Sequence, residues 1–150
     1  MRTKTTRADR SRRLIYLLNV AQRRVQRFVA AQSPKGATAA QAGLLFVLGQ
    51  RDGLLLGQAG AELDLGMPGI SGLVDRAVEA GLIEKRTDPD DGRAWRLWLT
   101  AAGRRALLRA RAGAAELNAR LMEGFTGAEI DIVARWLASV QDKFPKGENE

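Results

Sequence analysis

The chain has 150 residues, 45% of them hydrophobic and 27% charged, which suits one globular domain with a real core. It contains neither cysteine nor histidine, so disulfides, thiolate chemistry, imidazole bases and nearly every zinc site are excluded. With 24 basic residues against 17 acidic ones the net charge is +7, an excess that suits a polyanionic partner.

Residues 1–11 read as a basic arm without periodicity. Up to Arg27, nine basic residues stand against one acid, Asp9. Over 12–33 the spacing predicts a helix: Leu14, Leu17, Leu18, Ala21, Val25, Phe28 and Val29 recur at steps of three and four. "SPKGAT" breaks it with Pro34 and Gly36. Thr38 then caps a second helix, with Gln41 at the reciprocal capping-box position. This helix carries Leu44, Leu45, Val47 and Leu48 and stops by Gly53.

A short third helix is expected at about 57–63. A fourth opens with Pro68 in its first turn, turns Ile70, Leu73, Val74 and Ala77 inward, and ends at Gly81. "LIEKR" is a short strand, residues 88–93 a turn, and "AWRLWL" the return strand. Alternation puts Trp95, Leu97 and Leu99 on one face of that strand, with Arg96 and Trp98 on the other. Thr100 caps a long helix running to about Gly124. It bears two apolar stripes, one through Leu107, Ala110, Ala114, Leu117 and Leu121, the other through Leu108, Ala112, Ala115, Ala119 and Met122. A helix apolar on two sides is shared between two bodies. The same helix begins with a cluster of Arg104, Arg105, Arg109 and Arg111. Thr126 and Glu129 form a capping box for the last helix, whose stripe is Ile130, Val133, Trp136, Leu137, Val140 and Phe144. Residues 145–150 are a polar tail.

The expected fold is mainly α with a small β-wing. A winged helix-turn-helix occupies 38–99, and dimerisation helices at 12–33 and 104–144 flank it, all in one domain. The seams on the outer helices exceed what the small central unit covers, and a two-fold homodimer buries them. No apolar run approaches the ~20 residues of a membrane span, and no secretory signal pattern is present. The expected location is therefore cytoplasmic.

The string "GISGLVDRAVEAGLIEKRTDPDDGRAWRLWLTAAG", residues 69–103, resembles the recognition helix, hairpin wing and dimer-helix entry of the MarR family of bacterial winged-helix transcriptional regulators. The order of elements fits over about 12–144. Asp91-x-Arg93 followed by Leu99-Thr100-x-x-Gly103 is the more specific part. The resemblance implies a DNA-binding regulator, a repressor, that holds a palindromic operator in double-stranded DNA as a homodimer. It implies that Arg93 enters the minor groove and that Asp91 is its ion-pair partner. A narrow minor groove concentrates negative potential, which favours an inserted guanidinium. Asp88 and Asp90 are costly near phosphates unless they turn away or cap the turn, and Asp88 before Pro89 is a normal turn initiator.

The outward face of the recognition helix would be Gly69, Ser71, Gly72, Asp75 and Arg76. The two glycines cost roughly 1 kcal/mol each in helix propensity but let the backbone approach a groove closely. Ser71 and Arg76 are the donors. Asp75 either accepts from cytosine or pairs with a neighbour. Direct base readout is thin, so phosphate contacts and groove shape should supply much of the affinity. The sequence departs from the family at Gly92, where a second arginine is usual, at Lys85, where arginine is frequent, and at Trp98, usually a small polar residue. Trp98 either packs on a neighbouring loop or walls a ligand crevice.

Relatives of this kind often release DNA when a small aromatic or lipophilic anion binds. Leu18, Arg24, Phe46 and Trp98 would line such a crevice here, although each also fits a core. No cofactor and no metal is expected. An enzyme lacks the parts, since Ser71 has no base in its own motif. The alternative is an architectural or interaction winged-helix dimer without an effector.

Overall fold

The computed structural model describes residues 7–32 and 36–145, and side chains from Arg13 onward within those spans. The start of the expected arm (1–6), the break at 33–35 and the tail at 146–150 lie outside the described residues. The chain divides into two units, residues 1–39 and 40–150.

The first unit is helix α1, Arg7–Gln32. It starts five residues before the expected boundary at 12, so the second half of the expected arm, 7–11, joins the first helix. Leu14, Leu17 and Leu18 of the stripe are exposed, as are Ile15 and Tyr16, while Val25, Phe28 and Val29 are half-buried.

The second unit runs α2 (Ala39–Gln50), β1 (Leu54–Leu55), α3 (Leu56–Glu62), α4 (Met67–Glu79), β2 (Ile83–Thr87), β3 (Trp95–Leu99), α5 (Ala101–Met122) and α6 (Gly127–Lys143). The apolar stripes place the core. The buried side chains are Leu44, Leu45 and Leu48 of α2, Ile70, Leu73, Val74 and Ala77 of α4, Ile83, Leu97 and Leu99 of the sheet, and Ala106 and Leu107 of α5. The four α4 residues are those that helical spacing selects.

Helix α4 ends in a Schellman motif: Gly81 N–H donates to the Val78 carbonyl and Leu82 N–H to that of Ala77. Gly81 takes the left-handed φ of 72° that this turn requires. The chain then enters the sheet, whose order is β1-β3-β2, antiparallel throughout. This corrects the expected two-stranded wing. A third strand, β1, pairs Leu54 with Leu97 and Leu55 with Arg96. Two residues are too few to show alternation, so the strand leaves no periodic signal.

At the sheet's end Thr100 accepts from Gly103 N–H and donates to the Gly81 carbonyl, capping α5 and fixing it to the end of α4. A Cβ on Gly103 would collide with the Leu82 carbonyl oxygen, so the helix lies against β2's entry only with glycine there. Thr126 and Glu129 form the expected reciprocal box at α6. Beyond Leu107, α5 is half-buried on its first stripe as far as Leu117 and exposed at Leu121 and along its second stripe, and α6 has no buried residue. Leu108 (64% exposed), Leu121, Met122, Phe125 (62%), Ile132, Val133 and Leu137 are uncovered in the single chain. Among the described residues no helix is long and apolar enough to cross a membrane.

Candidate nucleic-acid interface

The hairpin tip is built by its acids. Asp88 is 6% exposed at the end of β2. Its Oδ1 accepts from the backbone N–H of Asp90 at 2.7 Å and of Asp91 at 3.1 Å. Asp88 N–H donates to the Ala94 carbonyl, and Ala94 N–H to that of Asp91, which closes the turn. The backbone donation from Asp90 is the main reason the Asp88 carboxyl titrates below the usual 3.8, against the opposing effect of its burial. Asp91 N–H and Arg96 reinforce the lowering, the latter through Nε lying 2.6 Å from Asp88 Oδ2.

Asp91 is placed differently from the ion pair that the resemblance implies. Its Oδ1 accepts from the backbone N–H of Arg93 at 3.0 Å, an Asx turn. No ion pair between Asp91 and the Arg93 guanidinium occurs among the described residues. Asp91 therefore fixes the main chain under Arg93 and leaves the guanidinium exposed and without a carboxylate partner. Gly92 at the tip has open space around it.

On α4, Gly69, Asp75 and Arg76 are exposed and Ser71 and Gly72 half-buried, all on the side away from the core. Arg76 Nη1 would lie 3.3 Å from a Cβ on Gly72, so its guanidinium folds back over the glycine. Asp75 has a neighbour. Its Oδ1 accepts from Lys85 Nζ at 3.3 Å, and the same ammonium sits 4.8 Å from the Trp95 ring centroid. Lys85 thus ties α4 to the wing. No local spacing joins positions 75, 85 and 95, so only the sheet register reveals it.

Trp98 packs on a loop, the first of its two readings. Its ring would lie 2.7 Å from a Cβ on Gly53, and Arg86 stacks on it with 5.6 Å to the centroid. Leu18 and Arg24 lie on α1 in the first unit and are exposed; Phe46, on α2 in the second, is half-buried like Trp98. An open groove of about 470 Å³ lies elsewhere, with Leu55, Leu56, Met67, Trp95 and Arg93 on its walls. Sequence reasoning did not single it out, because its walls come from four separate elements. No group of acidic residues that could hold a metal ion occurs among the described residues.

Residues 35–94 match the sequence profile of the MarR family. No curated protein matches the chain. Among solved structures, a probable transcriptional regulator from Pseudomonas aeruginosa is 29% identical, with 85% of this chain and 96% of that one covered and a TM-score of 0.78. The transcriptional repressor CouR, bound to a 23-mer DNA duplex, is 27% identical over 92% of this chain and 99% of its own, with a TM-score of 0.79. The PcaV transcriptional regulator from Streptomyces coelicolor, in complex with its natural ligand, is 26% identical over 82% and 89%, with a TM-score of 0.73.

Proposed function

We propose that this MarR-family transcription regulator is a cytoplasmic repressor that grips a palindromic operator as a homodimer, each copy presenting one α4 and one wing. The observation that carries the reading is Arg93: an exposed guanidinium without a carboxylate partner, on a turn whose backbone three hydrogen bonds to Asp88 and Asp91 make rigid. Such an arginine loses little freedom on entering a narrow minor groove. Ser71, Gly69, Gly72 and Arg76 would face the adjacent major groove. Asp75, already joined to Lys85, would position the helix more than it reads bases. CouR on its duplex supports this use of the fold.

The exposed apolar side chains of α1, α5 and α6 support the homodimer. PcaV with its ligand supports release by a small aromatic or lipophilic anion. The chain, lacking His and Cys, is proposed to catalyse no reaction.

The test is selection of duplexes from a randomised pool by the purified protein, followed by competition against bulk DNA over a salt series. One short palindrome with half-sites roughly 34 Å apart should win, and affinity should fall steeply with salt. Equal binding to all duplexes would favour an architectural coat. A flat salt dependence would overturn DNA as the partner.

A further inference from the structure

We propose that Arg96 is a positioning residue that hangs the wing tip on the turn between α2 and β1, so that the placement of Arg93 depends on that turn. The inference rests on the DNA-binding reading above and deepens it.

Arg96 lies in the central strand, on the outer face of the sheet, and uses two nitrogens in two directions. Nε meets Asp88 Oδ2 at 2.6 Å, and Nη1 donates to the Gly53 carbonyl at 2.9 Å. Each partner is itself fixed. Asp88 holds the N–H groups of Asp90 and Asp91, two residues before Arg93. Gly53 N–H donates to the Leu97 carbonyl at 2.9 Å, and its Cα face is filled by the Trp98 ring. Next to it, Asp52 accepts from Leu99 N–H at 2.8 Å and from Arg104 Nη2 of α5 at 2.9 Å. The hydrogen bonds are continuous from the first turn of α5, through the α2–β1 turn, to the wing tip.

The remaining cation of this sheet face does not compete. Arg86 is held by Glu84 at 2.6 Å and by Trp98. A hairpin alone is marginal in water, and β1 adds two residues only. The outer wing thus takes its bearing from Arg96. The guanidinium serves the two partners through separate nitrogens held in one plane, whereas lysine offers one point charge on a flexible stem.

The experiment uses the full chain with Arg96→Lys and Arg96→Met. Amide exchange in the free protein needs no DNA. The N–H groups of Asp90, Asp91 and Ala94 should exchange about tenfold faster in both variants while the core amides of α4 keep their protection. Binding is read on two duplexes of equal length, one containing an A-tract and one G·C-rich. Arg96→Lys should lose the preference for the A-tract duplex, and in an Arg93→Ala background it should have no further effect. Unchanged wing exchange would overturn the proposal, as would an Arg96 effect that simply adds to that of Arg93→Ala. If Arg96→Met does not fold, Arg96→Lys carries the same decision. A parent chain that binds neither duplex would refute the DNA-binding reading, and exchange would still decide on the tie.

Discussion

At Arg93 the side chain and the backbone have separate tasks. The backbone is bound into the Asp91 Asx turn, while the guanidinium faces solvent. Arg93→Ala should therefore leave the turn and the oligomer intact and remove a charge-assisted contact. We expect DNA affinity to fall about tenfold per wing, measured by anisotropy, with the mass by light scattering unchanged. A variant that dissociates into single chains would contradict this. Asp88 gives a pH prediction. Its carboxyl is held below the usual 3.8, chiefly by Asp90 N–H. A depressed carboxylate stabilises the fold fully above 3.8 and loses that contribution as pH drops through the lowered value. Asp88→Asn should thus be less stable than the parent at neutral pH, and the gap should close below about 3.8. Denaturant unfolding at stepped pH checks it, and a gap that widens in acid would refute it. The turn role of Asp88 was legible because Asp-Pro signals it locally. Its pairing with Arg96 was not, since that depends on the hairpin register.

Among the elements, α4 and the two capped helices were the most legible. Their information is local: a stripe at helical spacing, a Pro in the first turn, Thr with Glu three residues on. The short strand β1 and the ties from Lys85 to Asp75 and from Asp52 to Leu99 were hidden, because each is made by residues brought together only in the fold. The Leu99-Thr100-x-x-Gly103 string lies between these cases. It reads as a cap, yet Gly103 is required for a reason the cap does not contain, the close approach of the Leu82 carbonyl. Gly103→Ala should force α5 off the sheet. Over-packing of this kind costs about 1–3 kcal/mol, at roughly 2–4 °C of Tm per kcal/mol. Gly113→Ala, a helical site with open space around it, is the control and should be neutral or slightly stabilising. Equal melting temperatures for the two variants would remove the close-approach argument.

On the scale of the whole molecule, apolar side chains stay exposed in the single chain. Phe125 in the turn between α5 and α6, and Ile132, Val133 and Leu137 of α6, are uncovered, and α6 has no buried residue in the single chain. Apolar residues of this number on one pair of helices are costly in water and profitable against a second copy. If that copy is what covers them, Leu137→Glu puts a charge into the contact. An unpaired buried carboxylate is then far more expensive than the leucine it replaces. The variant should run as a single chain in scattering while the protein keeps its helical circular dichroism, because the core around the sheet and α4 contains no residue of α6. Its affinity for a palindromic duplex should drop roughly a hundredfold, because the second half-site is no longer engaged from a tethered partner. Affinity for one half-site should change little. A Leu137→Glu protein that stays dimeric would move the interface off α6. One that loses both half-site and palindrome binding would show that α6 supports the winged unit itself.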